Sequence, residues 1–597
     1  MLRLCYEKGI GVIMSKFMKL LSTGIDIISG SRSASGEYSM DDFLNLEQLF
    51  NLIQWMETFY NQQKVYYLPL QKIEETGSVQ VIVKDETGKG VPAQIKFFPI
   101  VKDKSDQKLN NIVRNHKMDN HIFDSIDTKV NFIREITDWH GRLDTRLPIG
   151  DYYVEISKGS EYEISSLYLG VYSNQTSQIM KELVRIYDLQ KENWYSGDLH
   201  HHSIYSSPVY GGTDPVIESP ALVCQSMAAM GATFGALSDH HNTLNHKVWK
   251  ALKSIDFTPI LSKEISTSNG HVMSLGVDQD VIYQIPKQSD RTDTYLRNEF
   301  IRVTDEIKRL GGLPQINHPC DLSKAISWNT KYNDIIRIFE TMEVWNGSNP
   351  MITGSTNYKA FLWWRQLLEE DCFIPATAGS DTHNIYANDY HIYFDKMDWL
   401  AERILERRVS LPKELDDQIA SFTSMYQDML PILKKWANNN LTSAGVRTYV
   451  HIEGEITQEK ILDSLKQGRS FLTNGPILIP EIDGKLPGDT VLSRADKVDI
   501  KLRLLANRPL KQVTLYSKGN KETRFTLDAT DKVRGCYDYS RILSDITIND
   551  VDWIFLIAED DCTNMAITNP IFIKRESHKS DRLKSENDIR NNSKKGE

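Results

Sequence analysis

Trp194-Tyr195-Ser196-Gly197-Asp198-Leu199-His200-His201-His202-Ser203 is a short apolar approach that ends in three imidazoles. Read as a strand that runs out at Leu199, it sends residues two apart to the same side, so His200 and His202 share a face and His201 points away from it. Two neutral imidazoles placed this way form a pair that can hold one metal ion. If the pair belongs to a larger site, other strands should end in the same kind of residue.

They do. After Glu192, six more short apolar runs alternate with helix-like segments, at 234–237, 259–262, 272–277, 313–316, 341–345 and 373–378. Ser219-Pro220 supplies a helix cap and a first-turn proline, and a second amphipathic run from Asn298 to Leu310 stops at Gly311-Gly312. Alternating β and α elements predict a parallel sheet or barrel, whose chemistry gathers at the C-terminal strand ends. There stand His200 and His202 after the first strand, Asp239 and His240 after the second, Glu264 after the third, His318 after the fifth, and Asp381 and His383 after the seventh. Ten of the fifteen histidines lie between His200 and His391, where proportional scatter would place about five. Core packing does not explain ligand-type residues at five strand ends, because a buried unpaired carboxylate is costly.

The flanking chain has a different texture. Residues 1–76 read as a helical region, with Ser39 as a cap and Phe43, Leu46, Leu49, Phe50, Ile53 and Met56 at helix spacing. Residues 77–190 alternate like the strands of a small β-sandwich, and 481–575 read as a second β-domain. Between them lies 191–480, interrupted by a helical insertion at 401–440 that contains no histidine. The polar tail 576–597 reads as disordered.

Composition excludes several classes. A formal charge of −10 and a pI near 5.9 argue against general nucleic-acid binding, which needs a basic face. A mean hydropathy of −0.41 and the lack of any run of 18 uncharged apolar residues predict no membrane span. Six scattered cysteines, and an N-terminus whose apolar stretch is broken by Glu7, Lys8, Lys16 and Lys19, lead to the expectation of a cytoplasmic protein.

The motifs DLHHHS at 198–203, SDH at 238–240, Glu264 with GHV at 270–272, NHP at 317–319 and GSDTH at 379–383 together resemble the polymerase and histidinol phosphatase (PHP) superfamily of metal-dependent hydrolases. WYSGDLHHHS, FGALSDHHNT, FETMEVWNGS, GRSFLTNGP and ITNPIFI resemble its CehA/McbA branch, which includes carbamate ester hydrolases. The resemblance covers about 191–480 and leaves 1–76 and 401–440 unexplained. It implies a distorted (β/α)7 barrel, flanked by small β-sandwich domains, that holds two or three divalent ions of zinc, manganese or iron. Matched position by position, His200, His202, Glu264 and Asp381 would hold one ion, and Glu264 would bridge to a second held by His271 and His318. His240 and His383 would belong to a third. Many relatives place a further acid or histidine a few residues past the His-x-His, where this chain has Tyr205-Ser206-Ser207-Pro208, so the third ion lacks a ligand there. Without that ion, His240 and His383 would bind the leaving group or relay its proton. Asp198 and Asp239 are expected to orient ligands, and His241, His246 and His391 to be rim or structural residues.

Water shared by two divalent ions loses a proton near neutral pH and supplies the nucleophile of a hydrolase, with Asp381, His240 and His383 as the catalytic candidates. The favoured substrate is a small phosphoester, with Lys263, Arg302 and Lys324 as conceivable phosphate contacts. A carboxylic or carbamate ester is the alternative. It would need an apolar cleft, for which Trp328, Trp345, Trp363 and Trp364 are candidates, the last two with core packing as the stronger reading. The non-enzymatic alternative is a carbohydrate- or protein-binding module with a structural metal cluster, which would require a site closed by protein ligands.

Overall fold

The computed structural model describes residues 76–100, 133–206, 218–267, 270–283, 291–321, 326–383, 442–528, 532–533, 535–548, 552–560 and 564–575, with Tyr210, Asp214, Val216 and Ile385. The expected helix after Ser39, the insertion at 401–440 and the tail at 576–597 lie outside the described residues.

Among the described residues, seven strands form the first β-region: β1 (Thr76–Asp85), β2 (Gln94–Pro99), β3 (Ile133–Ile136), β4 (Arg142–Pro148), β5 (Gly150–Ser157), β6 (Ser165–Val171) and β7 (Thr176–Leu183). They pair as β4-β1-β7 and β3-β2-β5-β6. Val79, Val81 and Val83 alternate along β1, so all three reach one face and pack in one cluster with Ile95, Phe97, Val154 and Ile156. Burying each such side chain contributes roughly 1.5–3 kcal/mol. The sandwich is pinned to the next region at the helix Pro220–Ala229. The Lys158 amine donates to Pro92 O (2.9 Å) and Ala228 O (2.6 Å), and Gln225 Nε2 donates to Thr137 O (3.0 Å).

The seven strands expected after Glu192 are all present: β8 (Trp194–Asp198), β9 (Phe234–Leu237), β10 (Thr258–Thr267), β11 (Gly270–Leu275), β12 (Leu313–Ile316), β13 (Thr341–Asn346) and β14 (Ala376–Gly379). They are neighbours in chain order. Two details differ from the expectation. β10 runs on to Thr267, so Glu264 lies inside a strand and not beyond its end. β11 is antiparallel to both neighbours, whereas the remaining pairs from β8 to β14 are parallel. The cause is local: only two residues separate Thr267 from Gly270, a hairpin-length connection that leaves no room for a crossover helix.

The far end of this path returns to its start. β8 gives one edge to β9 and the other, over Trp194–Gly197, to β15 (Arg447–His451). Beyond that, the chain leaving β14 takes over. His201 bridges Thr382 in parallel, Asp381 N–H donates to His200 O (2.8 Å), and His202 N–H donates to Thr382 O (3.2 Å). The ends of the first and last strands are thereby fastened side by side.

Among the described residues, helices are fewer than a strict alternation would give. Pro220–Ala229 and His246–Ala251 precede β9 and β10, Asp293–Arg309 precedes β12, a 3-10 segment Thr330–Ile338 precedes β13, and Thr356–Glu369 precedes β14. The protein is mixed α/β and rich in sheet. From β15 the same sheet continues through β16 (Ser470–Thr473) into the strands Met565–Thr568, Trp553–Asp560, Leu510–Ser517 and Lys521–Thr526. The last β-region therefore shares a sheet with the α/β region, and Trp553 and Phe555 lie in one core with Phe361 and Trp364. No helix among the described residues is long and apolar enough to cross a membrane.

Candidate metal centre

The fastening of β8 to β14 is organised by Asp198. Its carboxylate is buried and accepts from the backbone amides of His200 (3.2 Å), Ser380 (2.9 Å) and Ala444 (2.7 Å). These three amides belong to three separate segments, so Asp198 shapes the rim. His201 turns away from the other two imidazoles. Its Nδ1–H donates to His202 O (2.8 Å) and the Ser443 hydroxyl lies 2.8 Å from Nε2, while burial pushes the ring down to about 3 and so keeps it neutral.

The partners of His200 and His202 fix where their protons sit. His200 Nδ1 faces Glu343 Oε1 at 2.9 Å, and a carboxylate only accepts, so Nδ1 carries the proton. His202 Nδ1 lies 2.9 Å from Ser206 Oγ, whose single proton goes to Asp239 Oδ1 (2.8 Å), so this Nδ1 is also a donor. Both Nε2 atoms then present lone pairs, 3.2 Å apart. Glu264 Oε2 converges on them at 3.1 Å from His200 and 3.4 Å from His202, and Asp381 Oδ1 at 3.2 and 3.0 Å. With both Nε2 atoms free of protons, each imidazole nitrogen lies within 3.4 Å of two carboxylate oxygens, and these acceptors repel one another unless a cation lies among them. Ligands about 2.0–2.2 Å from one ion stand about 2.8–3.1 Å apart in an octahedral shell and 3.3–3.6 Å apart in a tetrahedral one, and the observed spacings span that range. The donor set therefore fits a divalent ion.

Without a cation the same field acts on protons. Burial disfavours a charged His200, but Asp381, Glu343 and Glu264 outweigh it and raise the imidazole well above its ordinary range. Protons and metal compete for the same lone pairs.

Glu264 faces two ways. Its Oε1 lies 2.9 Å from His271 Nδ1 and 3.0 Å from His318 Nε2, and accepts from Asn317 Nδ2 at 2.8 Å. His271 is the second residue of β11, and it reaches this rim because β11 runs against its neighbours. His240 Nε2 stands 3.4 Å from Glu264 Oε2.

Sequence reading missed Asp214. Ser206, expected in the place of a third-site ligand, is committed behind His202, and the loop beyond it returns Asp214 with its N–H donating to Ser206 O (3.0 Å). Asp214 Oδ2 then stands 2.9 Å from His240 Nε2 and 3.3 Å from His383 Nε2. His383 Nδ1 is 2.9 Å from Asp381 O, which makes it a donor and turns Nε2 toward Asp214. His202, Asp214, His240 and His383 form one group with metal-ligand spacing. Asp214 lies eight residues past Ser206 in Gly211-Gly212-Thr213-Asp214, outside any strand register that would have marked it. Glu343 was also missed, although an acid between Met342 and Val344 in a buried strand was a usable signal.

All eight expected ligands, His200, His202, His240, Glu264, His271, His318, Asp381 and His383, come together. Three residues here hold positive φ: His241 (64°), His318 (24°) and Asp381 (52°), a form of strain that clusters at functional sites. Asp239 accepts from Ser203, Ser206 and Asn245 behind the ligands. His246 has its ring nitrogens beside Asp278 O and Ser262 O, and His391 lies outside the described residues. The tryptophans expected to line a cleft do not: Trp328, Trp345 and Trp364 are buried in the core and Trp363 packs against it. Lys263 directs its amine to Asp280 and Val281 O, and Arg302 pairs with Glu299 and Glu306, while Lys324 lies outside the described residues.

No protein-family model matches the chain, and no curated protein does. Among solved structures, it is similar to a "putative metal-dependent phosphoesterase" from Bifidobacterium adolescentis, at 14% identity over 32% of this chain and 87% of that one, with a TM-score of 0.23. It is also similar to an amidohydrolase from Chromobacterium violaceum, at 17% identity over 31% of this chain and 87% of that one, with a TM-score of 0.22. A minor pilin of Streptococcus agalactiae matches at 14% identity over 19% of this chain and 47% of that one, with a TM-score of 0.13.

Proposed function

We propose that the chain is a metal-dependent hydrolase of small phosphoesters, built on a distorted (β/α)7 barrel of the PHP superfamily in its CehA/McbA branch. The observation that carries the reading is the convergence of His200 Nε2, His202 Nε2, Glu264 Oε2 and Asp381 Oδ1, with each imidazole nitrogen 3.0–3.4 Å from both carboxylate oxygens. His200, His202, Asp381 and Glu264 Oε2 would hold one ion. Glu264 Oε1, His271 and His318 would hold a second, and Asp214, His240 and His383 a third. Zinc, manganese and iron all suit imidazole with carboxylate. When bound, such ions acidify water toward a pKa of about 7 and polarise the substrate oxygen. The chain's own part is to fix that geometry: Glu343 and Ser206 hold two imidazoles with Nε2 inward, and Asn346 Nδ2 holds Asp381 Oδ2 at 3.1 Å, leaving Oδ1 for the cluster. In the same reading 77–190 and 481–575 are accessory β-units around the catalytic region 191–480.

A neutral carboxylic or carbamate ester is the second reading. It is favoured by the engagement of Lys263 and Arg302 elsewhere, which deprives a phosphoryl group of the two described cations proposed for it. The deciding experiment loads the purified protein with zinc, manganese or iron and compares p-nitrophenyl phosphate with p-nitrophenyl acetate. Fewer than two ions per chain, or activity that survives His200→Ala or Asp381→Asn, sinks the hydrolase site. Turnover of the acetate alone selects the ester.

A further inference from the structure

Glu343 touches two of the three ligand groups at once. Its side chain is 0% exposed, and Oε1 accepts from His200 Nδ1 at 2.9 Å. Oε2 accepts from the backbone N–H of His318 at 2.8 Å and from Asn346 Nδ2 at 3.1 Å. The same Asn346 amide reaches Asp381 Oδ2. In a regular strand Glu343 and Asn346, three residues apart, would face opposite ways. The register of β13 against β14 slips between Glu343 and Trp345, inserting Val344 as a bulge, and this turns both polar side chains to the cluster while Trp345 stays in the core. Room for the carboxylate comes from Gly379, where a Cβ would stand 3.1 Å from Glu343 Oε1.

We propose that Glu343 is a positioning residue that sets two metal positions together: it fixes the His200 ring with the proton on Nδ1, and it holds His318 at its positive φ of 24°. The proposal rests on the metal-centre reading above. Its chemistry makes Glu343→Gln unusually informative. An amide nitrogen in the place of Oε1 meets the His200 Nδ1–H, and either the two donors oppose each other or the imidazole moves its proton to Nε2 and ceases to be a ligand. An amide nitrogen in the place of Oε2 meets the N–H of His318 and the Nδ2 of Asn346, both donors. Neither orientation preserves both positions.

The test measures ions per chain and the visible spectrum of the cobalt-loaded full-length protein, for wild type, Glu343→Gln and Glu343→Asp, with circular dichroism to check folding. The expected result is a folded Glu343→Gln protein with metal affinity lowered roughly ten- to hundredfold and an altered cobalt spectrum. Glu343→Asp, which keeps the charge but withdraws the oxygens, should show the same direction of change. Wild-type stoichiometry and spectrum in either folded variant overturn the proposal. Loss of folding in both variants also overturns it, because Glu343 would then be a packing residue. A wild-type chain that binds no metal defeats the underlying hydrolase reading instead, so the two failures are distinguishable.

Discussion

Replacing Gly379 by alanine tests whether the fastening of β14 to β8 builds the centre. A Cβ at this position would stand 2.4 Å from His200 Cβ and 2.8 Å from His200 N, besides its contact with Glu343. Non-bonded carbons rest at about 3.5–4.0 Å, so the two chain segments must part by about 1.1–1.6 Å. His200 Cβ cannot swing aside, because it is attached directly to the backbone. The bonds from Asp381 N to His200 O (2.8 Å) and from His202 N to Thr382 O (3.2 Å) span this same gap and would be lost. Two such hydrogen bonds at about 1 kcal/mol each, with about 1–3 kcal/mol of overpacking, predict a loss of about 3–5 kcal/mol. Asp381 would move by more than the ±0.2 Å or so that a metal site tolerates. Metal content after gel filtration and denaturant unfolding, followed by tryptophan fluorescence, should both fall. Gly354→Ala is the control: nothing lies within 4 Å of its Cβ, so only its left-handed φ of 85° is penalised, and it should cost about 1–2 kcal/mol and leave metal content unchanged. Wild-type metal content and stability in Gly379→Ala would refute the reasoning.

Asp214→Asn should lower the ions bound per chain from three to two with the fold intact by circular dichroism; equal counts in the two proteins would remove Asp214 from the ligand set. Chelation should lower the melting temperature, since ions that bind the folded site and not the unfolded chain stabilise the fold by mass action, and manganese or zinc should restore it; a melting curve indifferent to chelator contradicts this. Burial pushes the Lys158 amine down to about 7, with Arg185 adding to the shift, so in the folded chain it is neutral where the unfolded chain still binds a proton. Stability due to this residue therefore falls as pH drops from about 10.4 toward 7, by at most about 1.4 kcal/mol per unit, and is flat below. Denaturation midpoints of wild type minus Lys158→Met should show that slope, and a difference independent of pH would exclude it.

The seven central strands were legible because each is a short apolar run closed by a polar or glycine-rich end, and His200, His202, His240, His318, Asp381 and His383 stood out because they follow those ends, whereas His271 was expected only from the family resemblance and Glu264 lies inside its strand. What escaped was anything that depends on a change of strand direction or phase. Alternation of period two has no symbol for a bulge, so the pairing of Glu343 with Asn346 on one face could not be read from their spacing of three. Asp214 is delivered by a loop, whose path no periodicity describes. The reversal of β11 was different, since the nine residues between the apolar runs 259–262 and 272–277 are too few for a crossover helix, and the expectation of a parallel sheet hid it. That one turn has a direct chemical consequence. In a parallel β11, a residue at the start of the strand would lie at the end of the sheet away from Glu264. Running backwards, β11 brings His271 to 2.9 Å from Glu264 Oε1, so a two-residue connection decides whether the carboxylate has a second set of ligands to bridge.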